Sequence, residues 1–197
     1  MTTLSDISIR VQRIILYSLI ALAFATPWLV WRFSVQHHRL SLVPPAMGVS
    51  SIVYAEEESG GFLGGHAAGI IVYEMPEHVA AALQQEGMTY LERISQPSGP
   101  GLHRHYDNWK PSPVIRNSKW RELSCESTWQ PISPGIADYM FRGAPCFRLD
   151  ASIEQMASDT ILQPDSYYTY SYASGGGGMG LIVLAPKVRR IIFAYGN

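Results

Sequence analysis

Residues 14 to 31 read "IILYSLIALAFATPWLVW", 18 positions without one charged side chain. At 1.5 Å per residue a helix of this length is about 27 Å long, close to the roughly 30 Å of a hydrocarbon core. Arg10 and Arg13 precede the stretch and Arg32 follows it, while Trp28 and Trp31 fall where an interfacial aromatic belt would lie. The segment reads as an uncleaved transmembrane signal-anchor, touching the lipid bilayer through residues 14–31. Its serious rival is a signal peptide cut after Ala25, because Ala23-Phe24-Ala25 has the A-x-A form. The apolar run continues through "WLVW" past that point, which favours the anchor. A buried core helix is the bland alternative. No Cys stands near residue 25, so lipoprotein processing is excluded.

The flanking arginines are nearly balanced, Arg10 and Arg13 against Arg32 and Arg39, so charge bias alone sets orientation weakly. From Leu40 to Glu92 there is no Lys or Arg, only glutamates, and such a segment is easy to translocate. The expected layout is a cytoplasmic N-terminus (1–13), the membrane helix (14–31), a juxtamembrane spacer (32–48) and an exported domain (49–197). The expected compartment is a bacterial periplasm, with the helix in the inner membrane. His37 and His38 fall just outside the bilayer, where headgroups or a partner would meet them. Pro44-Pro45 stiffens the spacer.

Charged residues make up 16% of the chain, below the usual quarter, as a membrane segment would cause. The formal net charge of −1 offers no basic face for nucleic acid.

The exported part predicts an α+β domain with a mainly antiparallel sheet of about five strands and two to three helices. "VSSIVYAEEE" and "AAGIIVYEM" read as paired strands around the glycine-rich "SGGFLGGH". "PEHVAAALQQEG" reads as a helix opened by Pro76 and Glu77 and closed by Gly87, with "MTYLERI" a second short helix. "PGIADYMF" predicts another short helix with Ser133 as its cap. "DASIEQMASDTIL" predicts one with Asp150 as N-cap. "SYYTYSYAS", "GLIVLAP" and "RRIIFAY" predict a three-strand meander. The two better helices, 77–86 and 150–162, are expected to cover one face of the sheet. Residues 95 to 147 are rich in Pro and Gly, and "QPSGPGLHRHYDNWKPSP" reads as a long loop.

Gly175, Gly177 and Gly180 satisfy G-x-G-x-x-G, but "LIVLAP" after them is strand-like, and no acidic residue follows at the required distance. No Lys-Ser or Lys-Thr follows either, so neither nucleotide motif is met. The glycines Gly175, Gly176, Gly177 and Gly178 then form a hairpin tip. With Gly60, Gly61, Gly64 and Gly65 they make two flexible binding-loop candidates at one end of the sheet.

His103, His105 and Asp107 in "HRHYD" are the candidate metal ligands, since two imidazoles and a carboxylate suit zinc. No H-E-x-x-H or C-x-x-C supports them, and a solvated loop is the competing reading. Cys125 and Cys146 are expected to form a disulfide enclosing roughly 20 residues, in keeping with an oxidising compartment. Tyr168, Tyr170 and Tyr172 share one strand face and are the candidate interaction face. No catalytic motif and no cofactor are expected. The function expected is a binding or accessory subunit that contacts another envelope or membrane protein. The alternative is a periplasmic metal-dependent hydrolase, or a ligand sensor, using the His103/His105/Asp107 loop.

Overall fold

The computed structural model describes residues 4–59, 67–94, 104–115, 135–140, 149–173 and 179–196. The chain divides into two units, Met1–Ser41 and Leu42–Asn197.

The first unit is one helix, α1 (Leu4–Leu40), of 37 residues. Its portion Leu16–Leu40 is long and apolar enough to cross a membrane, and 0% of its most apolar window is buried. Pro27 lies inside the helix and cannot donate a backbone hydrogen bond. Beside it, Thr26 Oγ1 donates to the Leu22 carbonyl at 2.8 Å, the usual local bond of a helical threonine. The helix continues through residues 32–40, which the sequence suggested as spacer. It ends where the Ser41 N–H donates to the carbonyls of His37 and His38.

The second unit opens with a segment that is part of its core: Leu42, Val43 and Met47 are buried around a short 3-10 turn at Pro45–Met47. Strands β1 (Ile52–Ser59) and β2 (Ala67–Glu74) follow. Helices α2 (Glu77–Glu86) and α3 (Met88–Ile94) come next. Gly87 separates them at φ 58°, a conformation that favours glycine, and its N–H donates to the Leu83 carbonyl. Then come β3 (Arg104–Tyr106), β4 (Lys110–Pro111), α4 (Ile136–Met140) and α5 (Ala151–Leu162). The meander β5 (Tyr167–Ala173), β6 (Met179–Ala185) and β7 (Arg190–Gly196) completes the unit.

The fold is α+β, with one antiparallel sheet ordered β1-β2-β7-β6-β5-β3 and β4 beside β5. The described residues contain seven strands where about five were expected, and four helices besides α1. The added strands, β3 and β4, lie in the segment read as a loop. They are short and lack a local pattern, and they form because β5 offers them a free edge.

Both faces of the sheet are buried, not one. On the first face Ile70, Val72, Tyr168, Tyr170, Leu181, Val183, Ile192 and Ala194 pack with Ile136 and Tyr139 of α4 and Ala157 and Ile161 of α5. Residues of opposite parity, Ile71, Tyr73, Ile182, Leu184, Ile191 and Phe193, are equally buried. The end of α2 approaches this second face: a Cβ on Gly87 would stand 3.0 Å from Tyr167 Oη. The helices α2 and α5 thus serve opposite faces. Double coverage explains why β2, β6 and β7 read as unbroken apolar runs.

Two glycines make the second face possible. A Cβ on Gly180 would lie 2.3 Å from Phe193 Cε2, and one on Gly69 2.8 Å from Tyr195 Cε1. The rings of Phe193 and Tyr195 stack at 5.5 Å over these bare positions. Phe193 is fully enclosed, whereas the Tyr195 ring reaches the surface and can swing away. Gly180→Ala should therefore destabilise by roughly 1–3 kcal/mol and Gly69→Ala by less. Chemical unfolding followed by near-UV circular dichroism gives the order; equal or reversed effects would refute this account of the packing.

Asp150 caps α5 as its sequence position suggests. Its Oδ1 accepts from the Ser152 N–H at 2.9 Å, the Ser152 hydroxyl at 2.5 Å and the Ile153 N–H at 3.4 Å. The Ser152 hydroxyl first, then the two N–H groups, hold this carboxyl below its ordinary 3.8. A depressed folded pKa gives stability that is present above the unfolded value and is lost as pH falls through the folded one. Asp150→Asn keeps an acceptor at the cap without the titration. Its unfolding midpoint should change less than wild type between neutral pH and pH about 3.

Candidate functional site

The register defines one row across the end of the sheet. Glu58 pairs with Ala68, Ala68 with Gly196, Gly196 with Met179, Met179 with Tyr172, and Tyr172 with His105. Strands β1 and β2 reach this end at Ser59 and Ala67, and β5 and β6 reach it at Ala173 and Met179. Both glycine-rich connections therefore leave the sheet at the same end. Gly60, Gly61, Gly64 and Gly65 lie outside the described residues, as do Gly175, Gly176, Gly177 and Gly178. Gly180 is described, and it belongs to a strand. The segment after the glycines is β6, which presents no helix N-terminus to a phosphate.

At one flank of the row, His105 of β3 and Asp107, one residue past the end of that strand, are both exposed. The Asp107 N–H donates to the Tyr170 carbonyl at 2.8 Å, and Thr169 Oγ1 donates to the Asp107 carbonyl at 2.7 Å. The Tyr172 hydroxyl donates to Asp107 Oδ2 at 3.0 Å. The structure thus groups His105, Asp107 and Tyr172. His103 lies outside the described residues, and among those described no three His, Cys, Asp or Glu side chains are placed to hold a metal ion. Cys125 and Cys146 also lie outside them.

The tyrosine stripe is corrected by the fold. Tyr168 and Tyr170 share a face as the alternation requires, but that face is core. Each is 2% exposed. Tyr170 packs against Tyr139 of α4 at 5.7 Å and edge-on to Tyr168 at 5.9 Å. Burying rings of this size stabilises the unit by roughly 2 kcal/mol each, so they hold α4 on the sheet and offer no docking surface. Tyr172 alone reaches the rim, half-buried and bonded to Asp107.

The opposite flank is acidic. The Tyr195 hydroxyl donates to Glu57 Oε1 at 2.7 Å across Gly69, and the Tyr54 hydroxyl donates to Glu56 Oε2. Glu58 Oε2 is buried and has no hydrogen-bond partner among the described residues. Burial first, and then the Glu56 carboxylate, push Tyr54 from 10.0 up to about 12, while a bond from the Asp150 backbone opposes the shift. This flank was not anticipated as a site from the sequence, although Tyr54 stands two residues before the run Glu56 to Glu58. The i, i+2 spacing of Tyr54 and Glu56 on one strand face was the available signal; the Tyr195–Glu57 bond joins β7 to β1 and has no local one.

Compared with protein-family models, curated proteins and solved structures, the chain matches none.

Tyr54 stays protonated in the folded protein well above neutral pH. A raised folded pKa gives stability that is full below pH about 10 and lost as pH rises through about 12. Tyr54→Phe should remove that part of the alkaline transition, read from tyrosinate absorbance and tertiary circular dichroism together. An unchanged alkaline limb would exclude the Tyr54–Glu56 bond as its source.

Proposed function

We propose that this chain is a single-pass membrane protein whose α+β unit lies in the periplasm and acts by binding another envelope or membrane protein. The observation that supports this reading is the helix Leu16–Leu40, apolar enough to span a bilayer and with none of its most apolar window buried. A helix with so much exposed apolar surface is costly in water and favourable in lipid. The α+β unit supplies a rigid sheet, and both glycine-rich connections depart from one end of it. That end, with the His105–Asp107–Tyr172 rim on one flank and Glu56 to Glu58 on the other, is the contact surface in this reading. Main-chain adaptability on a rigid frame suits recognition of a protein surface.

Fusions after Asn197 test the topology. Alkaline phosphatase there should be active and a cytoplasm-dependent fluorescent reporter dark, with the chain resistant to carbonate extraction. A bright reporter with an inactive phosphatase reverses the orientation and removes the periplasmic reading. Co-purification after mild detergent extraction then tests binding: a protein recovered with the chain should be lost when residues 60–66 or 174–178 are replaced. Recovery of the chain alone after cross-linking in intact membranes counts against a partner.

A further inference from the structure

The carboxy-terminal flank of α1 carries a charge without a counter-charge of its own. Arg32 lies with its guanidinium carbon 5.4 Å from the centre of the Trp28 ring, one helical turn earlier. Contact with a ring face engages the charge but leaves the five N–H donors of the guanidinium directed elsewhere. About one and a half turns further on, and on other sides of the helix than Arg32, His37 and His38 are exposed in its last turn. From residue 7 to residue 55 the chain contains no Asp or Glu, so the segment cannot neutralise these groups itself. With residues 14–31 filling the hydrocarbon core, Arg32 stands at its edge. The following eight residues, about 12 Å of helix, then run through the headgroup layer.

We propose that Arg32, braced on Trp28, forms a headgroup site for an anionic phospholipid. A guanidinium binds a phosphodiester through two parallel N–H···O bonds, and the planar fork resting on an indole is pre-oriented for it. The flank has no carboxylate to receive a choline or ammonium group, so a headgroup with net negative charge fits better than a zwitterionic one. The inference rests on the reading of α1 as a membrane anchor.

The full chain, extracted from bilayers of phosphatidylcholine with a minor share of phosphatidylglycerol, is analysed by native mass spectrometry for lipid that stays bound. Phosphatidylglycerol should be enriched several-fold over its share of the bilayer. Arg32→Gln should bring it back to that share, Arg32→Lys should keep part of the enrichment, and Trp28→Leu should weaken it. Equal retention of the two lipids, or enrichment that Arg32→Gln leaves intact, overturns the proposal. Carbonate extraction of the same samples separates the two readings. Protein that stays in the membrane without enrichment refutes the lipid site alone, and protein released from the membrane refutes the anchor and the site with it.

Discussion

The pairing of β2 with β7 is the constraint on which the folded unit depends. It runs over seven residue pairs, from Ala68 with Gly196 to Glu74 with Arg190, and joins strands from the two ends of the unit. Closing so long a loop is entropically unfavourable. What offsets it is burial on both sides, because Ile70, Ile71, Val72, Ile191, Ile192 and Phe193 are all removed from water. Without this seam the β1–β2 hairpin and the β5–β6–β7 meander would be separate two- and three-stranded pieces, each with an apolar edge exposed.

The seam is locked at one end. The Met75 N–H donates to the Arg189 carbonyl at 3.0 Å, and Arg189 Nε donates back to the Met75 carbonyl at 3.3 Å. Arg189 adopts φ 52°, uncommon for a residue with a side chain, and its guanidinium lies 3.6 Å from Glu74 and 3.8 Å from Glu77. These charges are exposed, so the ion pairs add little, and the two main-chain-directed bonds carry the lock. The other end has a different character. There the strands finish in glycine-rich connections, and the rim side chains His105 and Asp107 face solvent. One end of the sheet thus fixes the register, and the glycine-rich connections leave from the other.

Much of this frame can be read from residues alone. The helix 77–86 is bounded by Pro76 and Gly87, and Asp150 marks the start of α5 through a side chain that can only cap. Both are local chemistry, decided within one turn. The meander strands are equally plain, since apolar β-branched runs bounded by turn residues have few alternatives. Strands β3 and β4 were not readable, because "RHYDNWKP" has no alternation and pairs only where β5 presents an edge. The tyrosines of β5 show the same limit from the other side. Alternation places Tyr168, Tyr170 and Tyr172 on one face, but whether α4 covers that face is not written in the strand. The unbroken apolar runs of β2, β6 and β7 did carry the signal that both faces are covered, and a one-sided sheet would have alternated.

What the sequence by itself determined is the membrane-length apolar helix, the α+β class and the ends of the capped elements. Hydrophobic transfer adds up over consecutive residues, and capping acts between near neighbours, so neither needs the rest of the chain. The glycine pattern shows what tertiary structure alone decided. Gly180, the last glycine of an apparent phosphate cradle, is bare because Phe193 from the next strand lies across it. Gly69 is bare because Tyr195 crosses it on the way to Glu57. Which ring lies over which glycine follows from register, between consecutive strands for Gly180 and Phe193 and between strands far apart in sequence for Gly69 and Tyr195. That register is set by burial on two faces at once, a condition no single stretch of residues contains.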